Sequence, residues 1–143
     1  MTNLNFKVKR LPNYVAGPTR RCGDAGFDLC ASEDVVIEPG ERALIGTGIA
    51  ASFSPDYYMR ISPRSGMAVK SGIDVFAGTV DSSFLGEWKV LLFNSSKFKV
   101  AILKGDRIAQ AIPTRISQDK GFEFVDELDA TDRGTNGFGS SGV

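Results

Sequence analysis

The sequence contains no histidine and only two cysteines, and both shortages remove kinds of active site. Without histidine, Ser-His and Cys-His catalysis are impossible, so proton transfer must fall to carboxylates, Lys or Tyr. Cys22 and Cys30 lack any metal-ligand spacing, and the usual zinc partner is missing. We therefore expect two free thiols, with Cys30 as a small core residue.

An excess of charge is also lacking, since Lys plus Arg and Asp plus Glu both number 17 in 143 residues. The chain has no net positive charge that would attract nucleic acid or an acidic membrane. An anionic ligand must therefore bind where positive side chains are clustered locally. No apolar run approaches the roughly 20 residues of a membrane span, and MTNLNFKVKR has no secretory-signal core. We expect a soluble, intracellular protein with neither nucleic-acid nor membrane partners.

Short alternating segments rich in Val, Ile and Phe dominate the chain. Turn clusters such as PG, SPD, NSS and KGD separate them about every 8 to 12 residues, which predicts an all-β sandwich, jelly roll or barrel. The segments are FKVKRL, DVVIEPGERALIGTGIAASF, YYMRIS, EWKVLLFN, FKVAILKGDRIAQAIPTRI and GFEFVDEL. Only SPRSGMAVKSG could hold a short helix, with Ser62 or Ser65 as its cap. The apolar period stops near Thr131, which predicts a body over 1–130 and a mobile arm over 131–143.

Two stretches in the first half are unusually polar or glycine-rich. AGFDLCA places Asp28 in an apolar strand, where it either faces solvent or is buried and needs partners. SPRSGMA presents Arg64, the Ser65 hydroxyl and the Gly66 amide at a strand-to-helix junction. These groups suit a phosphate, although a capped helix turn has the same composition.

Two further stretches lie in the second half. GIDVFAGTVDSSFLGEWKV, residues 72–90, predicts a β-hairpin that brings Asp81 close to Phe84, although a lone Asp in a hairpin is usually a turn former. In GDRIAQ, Asp106 and Arg107 could form a solvated turn pair, and Gln110 offers a neutral amide donor.

The tail, GFGSSG at 137–142, satisfies the dinucleotide-binding pattern G-x-G-x-x-G letter for letter. Only Val143 follows, so there is no helix to receive a pyrophosphate and no ribose-binding acid downstream. Taken alone, the segment is more typical of a disordered Gly/Ser tail.

The order of these stretches is more specific than any one of them. AGFDLCA, PRSGMA, GTVDSSFLG, GDRIAQ and RGTNGFGSSG closely resemble the five motifs of the trimeric dUTPase family, and GPTR at 17–20 precedes the first motif as APTR does there. The resemblance covers nearly the whole chain. It implies jelly-roll-like subunits forming a distorted β-barrel, with at most one short helix and a mobile C-terminal arm. It also implies homotrimers that hydrolyse dUTP to dUMP and pyrophosphate with Mg2+ on the triphosphate. That reaction keeps uracil out of DNA and supplies dUMP for thymidylate synthesis.

The third motif carries the catalytic and nucleoside roles that the resemblance implies. Asp81 would be the general base that holds and deprotonates the attacking water. The backbone around Gly78 would read uracil, and the Phe84 ring, where the family usually has Tyr, would exclude a ribose 2′-hydroxyl. Lys89 and Phe76 stand where the family often has Gly, and Lys89 belongs to the implied substrate contacts.

The resemblance also implies phosphate and metal contacts. Arg64, Ser65 and Gly66 would grip the α- and β-phosphates, and Gln110 would add a phosphate contact. Asp28 would act near Mg2+ through water, because this ion keeps waters and binds mainly through substrate oxygens. Asp106 would order the turn of the fourth motif.

The arm would close over the nucleotide as the fifth motif. Arg133 and Phe138 would cover the uracil, while Gly139, Ser140 and Ser141 would wrap the β- and γ-phosphates. Each site would then combine a hairpin, a phosphate grip and an arm from three different chains.

Two other functions remain open from the residues. A dCTP deaminase shares the fold family, but the glycine-rich fifth motif and the short chain argue against it. A catalytically dead dUTPase-like binding module is the second. The residues that argue against it are the intact Asp28, Arg64, Asp81, Gln110, Arg133 and Phe138.

Overall fold

The computed structural model describes residues 3–119, 121–140 and 142. Across these residues the chain is built from short strands, β1 (Lys7–Arg10), β2 (Phe27–Cys30), β3 (Val35–Ile37), β4 (Arg42–Gly46), β5 (Ile49–Ser52), β6 (Tyr57–Ser62), β7 (Ile73–Phe76), β8 (Thr79–Asp81), β9 (Lys89–Asn94), β10 (Val100–Ile102) and β11 (Arg107–Arg115). One helix, α1 (Ser65–Ser71), follows β6.

The strands pair only in antiparallel fashion within the described ranges, and they form four sheets. The largest has the order β2-β11-β6-β8, the next β4-β9-β7, and β1-β5 and β10-β3 are two-stranded. These sheets do not close into one barrel, but they confirm the predicted jelly-roll-like, all-β class with one short helix.

One hydrophobic core joins the four sheets. Strand β9 illustrates how a strand contributes to this core, since Val90, Leu92 and Asn94 are buried while the residues between them are not. This alternation is the period of a strand that faces the core on one side only. The largest buried side chains are Trp88, Leu29, Ile37, Ile45, Ile49, Met59, Ile73, Leu92, Ile102 and Ile108.

The predicted hairpin over residues 72–90 is correct only in its outer arms. Strands β7 and β9 pair with each other, Ile73 opposite Asn94 and Phe76 opposite Leu91. The middle is not a simple turn, because β8 leaves this sheet and pairs with β6, with Asp81 opposite Tyr58. The segment therefore bridges the two larger sheets, which its alternating pattern alone did not indicate.

Two local predictions are wrong. The helix cap is neither Ser62 nor Ser65, since Arg64 is the N-cap residue and makes no side-chain capping hydrogen bond. GFEFVDEL is not a strand in the part of the chain that the structure describes, although its residues alternate. A strand requires a neighbour for its backbone groups, and these residues are all exposed.

Both cysteines are free, as predicted, with Cys22 exposed and Cys30 buried. Burial raises the pKa of the Cys30 thiol, and the nearby Asp28 carboxylate raises it further. Within the described ranges, no helix has the length and apolar character that a bilayer crossing requires.

Candidate active site

Asp28 is held at the centre of a cluster of cations. Its strand, β2, pairs with β11 so that Asp28 lies opposite Gln110. The Arg64 Nε donates to Asp28 Oδ1 at 3.2 Å, and the Arg107 Nη1 lies 3.8 Å from Asp28 Oδ2. The Asp28 side chain is 27% exposed, so the alternative in which it simply faces solvent is wrong and it is a paired, half-buried carboxylate.

The cluster contains arginines that sequence reasoning did not select. Arg20 and Arg21 line a cavity of about 410 Å³ together with Arg64, Arg107 and two aspartates. Thr19 forms a two-way backbone bridge with Asp28, its N–H donating at 3.2 Å and its carbonyl accepting at 2.7 Å. That bridge places the following two arginines at the same cavity. In the sequence, the two adjacent arginines of GPTRR could have indicated this part of the site.

Four arginines and two aspartates leave this cavity with a formal excess of two positive charges. Arg107 was treated as half of a solvated turn pair with Asp106, yet its guanidinium reaches Asp28 instead. Asp106 orders its own turn, as predicted, because its Oδ2 accepts from the Leu103 N–H at 2.8 Å. A site with this charge balance suits a polyanion.

The other predicted phosphate groups lie at the edge of the same sheet. Gln110 is opposite Ser62 on β6, and its Nε2 donates to the Pro63 carbonyl at 3.1 Å. Ser65 and Gly66 open α1, are exposed, and leave open space around the Gly66 α-carbon. The sheet register therefore brings Asp28, Gln110 and the Arg64 segment together.

Asp81 ends β8 on the other side of β6 and is exposed. Within the described part of the chain its carboxylate makes no hydrogen bond or ion pair. A turn follows, in which the Phe84 N–H donates to the Asp81 carbonyl at 3.1 Å. The Phe84 ring is half exposed, three residues after Asp81 in the same turn.

Gly78 has a packing reason to be glycine. An added Cβ would overlap the Ile61 carbonyl oxygen, and the Gly78 carbonyl accepts from the Ile61 N–H at 2.7 Å. The carbonyl is therefore engaged by β6. Its N–H makes no hydrogen bond among the residues described here, so it remains open to a ligand.

The side chains of Phe76 and Lys89 lie on the outer face of the β4-β9-β7 sheet. Phe76 stacks on Phe93, with ring centroids 4.9 Å apart and planes 15° from parallel. Lys89 is exposed at the start of β9, opposite Gly46. Both point away from the core along the outer face of their sheet.

The arm contacts itself in this structure. Arg133 Nε donates to the Asn136 carbonyl at 2.8 Å, and Phe138 is fully exposed at a positive φ of 53°. Gly139 and Ser140 contribute to a cavity of about 400 Å³ whose lining comes from the arm alone. Ser141 lies outside the described residues.

The Asp81 group and the Gln110 group are far apart in one chain. Asp81 and Gln110 pair with opposite sides of β6, at positions four residues apart along it. Strand geometry then separates them by about 13 Å along β6 and about 10 Å across it. Among the described residues, no hydrogen bond or ion pair joins the arm to either group, so the predicted site residues form three separate groups in this structure.

Comparison with known proteins gives a consistent result. The model of the family described as dUTPase matches residues 14–142. The deoxyuridine 5′-triphosphate nucleotidohydrolase of Rhodococcus erythropolis (strain PR4 / NBRC 100887) is 46% identical over 144 residues, which cover 98% of this chain and 87% of the relative. The protein of the same name from Mus musculus is 46% identical over 139 residues, covering 96% and 85%.

A solved structure is similar over almost the same length. It is a glycine-to-serine variant of the Staphylococcus bacteriophage 80alpha dUTPase, with dUpNHpp. Its TM-score is 0.86 at 28% identity, and the alignment covers 97% of this chain and 99% of the phage chain.

Proposed function

The chain belongs to the dUTPase family, and we propose that it is a dUTP nucleotidohydrolase that converts dUTP to dUMP and pyrophosphate. The observation that carries this proposal is the Asp81 carboxylate, exposed and unpaired in the described chain, at the start of the turn that holds Phe84. In cells this reaction would keep uracil out of DNA and supply dUMP for thymidylate synthesis.

Asp81 is the general base of the proposed reaction. A carboxylate with free lone pairs can accept a hydrogen bond from a water and hold it in line with the α-phosphorus. As the water attacks, Asp81 takes its proton, the bond between the α-phosphorus and the bridging oxygen breaks, and pyrophosphate leaves. Orientation contributes more than basicity, because an ordinary carboxylate is a weak base for water.

The arginine cluster supplies the phosphate site. Arg64, Ser65 and Gly66 bind the α- and β-phosphates, with Gln110 beside them, and the excess positive charge of the cavity favours a triphosphate. Arg64 is already oriented by Asp28, so its guanidinium loses little conformational freedom on binding.

The donor set suits a Mg2+ ion that arrives on the triphosphate. No group of three or more His, Cys, Asp or Glu side chains in the described ranges could cage a metal. Asp28 is engaged by two guanidinium groups and fits a contact through water. Mg2+ commonly binds through substrate phosphates and retains waters, and it would neutralise charge on the triphosphate.

The nucleoside is selected by the segment from Gly78 to Lys89. The open Gly78 N–H offers a fixed donor to a uracil carbonyl, and the exposed Phe84 ring offers a surface for deoxyribose. Lys89 contributes its backbone to the base, since its side chain lies on the outer face of the sheet.

The arm, residues 131–143, closes over the bound nucleotide. Arg133 and Phe138 cover the base, and Gly139, Ser140 and Ser141 follow the β- and γ-phosphates. The full exposure of Phe138 supports this role, because a large ring left in water has apolar surface available for stacking.

A homotrimer with shared sites is the proposed assembly. Its support is the separation of Asp81 from Gln110 by β6, together with apolar surface left open. Leu44 and Phe76 are 58% and 39% exposed on the outer face of the β4-β9-β7 sheet. Phe122, Phe124 and Leu128, between β11 and the arm, are 83%, 91% and 88% exposed. Other copies of the chain would cover these residues.

Pyrophosphate release tests the reaction. Purified protein is given dUTP, dCTP, dTTP and UTP separately, with and without Mg2+. We expect release from dUTP only, and more with Mg2+. Ammonia production from dCTP would identify the deaminase instead, and binding without any turnover would identify the binding module.

Hybrid trimers test the shared site. Chains carrying Asp81→Asn and chains ending at Asp132 are each expected to lose most of their activity alone. Co-folded, they form sites that combine an intact Asp81 with an intact arm from another chain, so activity should return. Sedimentation should show an assembly of three 15.4 kDa chains. Failure of the mixture to regain activity while trimers form would mean that each site belongs to a single chain.

A further inference from the structure

The turn between Asp81 and Trp88 is fixed at both ends. At its start, the Phe84 N–H donates to the Asp81 carbonyl at 3.1 Å. At its end, Trp88 is 1% exposed in the core, and its N–H donates to the Ile49 carbonyl at 2.8 Å. The residues between these anchors are mostly exposed, yet two of them have specific partners.

Gly86 is one of the two. A Cβ at Gly86 would lie 2.7 Å from Cζ and 3.0 Å from Cε1 of the Phe84 ring. Ordinary carbon contacts are about 3.5–4.0 Å, so the ring occupies space that any side chain at 86 would require. The Phe84 ring therefore lies directly over the Gly86 α-carbon.

Glu87 is the other. Its Oε2 accepts from Asn13 Nδ2 at 3.0 Å and from the Gly48 N–H at 3.2 Å. Asn13 also donates to the Ser32 hydroxyl at 3.2 Å. One carboxylate oxygen thus ties the residue after Gly86 to the turn between β4 and β5 and to the segment after β1.

We propose that Gly86 and Glu87 are positioning residues that hold the Phe84 ring where it discriminates deoxyribose from ribose. Gly86 leaves the surface on which the ring rests, and Glu87 fixes the backbone that carries this surface. The inference rests on the proposed function, in which Phe84 contacts the sugar. It matters here because Phe84 has no phenolic hydroxyl to anchor it, so packing alone must set the ring.

Gly86→Ala gives a clean test, because Gly86 does not have the positive φ that would strain an alanine. The ring must move by about 1 Å to restore an ordinary contact. We expect kcat/KM for dUTP to fall while that for UTP falls less, shifting the dUTP to UTP ratio by about tenfold. Thermal unfolding of the trimer should change little, since position 86 is exposed.

A double-mutant cycle provides the matched control. A Phe84→Ala variant lacks the ring, so adding Gly86→Ala to it should leave the ratio of kcat/KM for dUTP to that for UTP unchanged. If Gly86→Ala shifts the ratio equally with and without the ring, its effect does not act through Phe84 and the proposal is wrong. Equal losses for dUTP and UTP in the single variant would also overturn it.

Glu87 is tested by two substitutions. Glu87→Ala leaves the Asn13 amide and the Gly48 N–H without their acceptor and should shift the ratio in the same direction as Gly86→Ala. Glu87→Gln keeps one accepting oxygen and should restore most of the discrimination. An unchanged ratio in folded Glu87→Ala would remove Glu87 from the proposal.

The outcomes separate this inference from the proposed function. Absence of pyrophosphate release from every nucleotide by the unmodified protein would contradict the proposed function itself. Normal dUTP hydrolysis with an unchanged ratio in Gly86→Ala would contradict only the positioning role.

Discussion

Asp28 and Asp81 are both carboxylates of strand residues near a proposed phosphate site, but their surroundings are opposite. Asp28 is bound by Arg64 at 3.2 Å and approached by Arg107 at 3.8 Å, with its side chain 27% exposed. Asp81 is exposed at the end of β8, without a partner in the described chain. A carboxylate that already holds two cations organises charge, whereas one with free lone pairs can accept a proton.

Each environment follows from the strand pairing. Asp28 lies on β2, which pairs with β11 on one side and meets Thr19 in a backbone bridge. Strand β11 carries Arg107, and the end of β6 leads to Arg64. Asp81 lies at the opposite edge of this sheet, on β8, which within the described ranges pairs only with β6. The difference therefore predicts that replacing the two carboxylates by amides has unequal effects on chemistry and on binding.

The largest effect is expected for Asp81→Asn. Asparagine cannot accept the proton of the attacking water, so kcat should fall by about 10²–10⁴-fold while dUTP binding remains. Single-turnover pyrophosphate release and a nucleotide-binding measurement separate the two steps. Asp74→Asn is a suitable control, because Asp74 is another exposed carboxylate of the same segment. In the described chain its carboxylate accepts a hydrogen bond only from the N–H of the next residue, Val75. Equal loss in both variants would argue against a special role for Asp81.

Removal of residues 133–143 should have the next largest effect. The arm makes its described contacts within itself, including Arg133 to the Asn136 carbonyl, so the body should fold unchanged. Turnover should fall by about 10²-fold, because water is no longer excluded from the site. Circular dichroism and sedimentation monitor the fold, and steady-state kinetics monitor activity. Full-rate hydrolysis by the shortened chain would show that the arm is not a lid.

Asp28→Asn should have a smaller effect, and one on binding more than on chemistry. Without the charge of Asp28, Arg64 and Arg107 are less well held, so KM for dUTP should rise by about tenfold with a lesser change in kcat. The unfolding free energy should fall by only about 1 kcal/mol, because these side chains are 27% to 53% exposed. A kcat loss as large as that of Asp81→Asn would remove the distinction between the two carboxylates.

The sequence predicted the all-β class, α1 and the burial of Cys30 because these depend on local patterns. Alternation in β9 and the polar turn clusters are visible without any knowledge of pairing. The motif resemblance also selected both carboxylates, Asp28 and Asp81, and one partner of Asp28, Arg64. What it could not indicate was that β8 pairs with β6, because pairing between distant strands is not encoded in the period of either one.

The partners of Asp28 illustrate the same limit. Arg107 lies 79 positions along the chain from Asp28 but becomes its neighbour through the register of β2 and β11. The resemblance did not select Arg20, Arg21 or Arg107, although all three line the cavity. The clash that a side chain at Gly86 would make with Phe84 likewise requires the folded turn.

The smallest predicted effect concerns Cys30, which lies two residues after Asp28 and interacts electrostatically with its carboxylate. Burial, with the Asp28 carboxylate adding to it, raises the pKa of the Cys30 thiol above its ordinary value. The native state therefore holds this proton to a higher pH than the unfolded chain does. The stabilisation is complete below the unfolded pKa and is lost as the pH rises through the raised native value.

Denaturant titrations at pH 7 to 10 measure this loss. We expect a small decline in unfolding free energy above about pH 8.5 that is absent in Cys30→Ala and retained in Cys22→Ala, because Cys22 is exposed. Asp28→Asn should reduce the decline, since it removes one of the charges that raise the thiol pKa. If Asp28→Asn leaves the alkaline decline unchanged while Cys30→Ala abolishes it, burial alone accounts for the shift. In that case the positive charges of Arg64 and Arg107 would cancel the effect of the Asp28 charge on the thiol pKa.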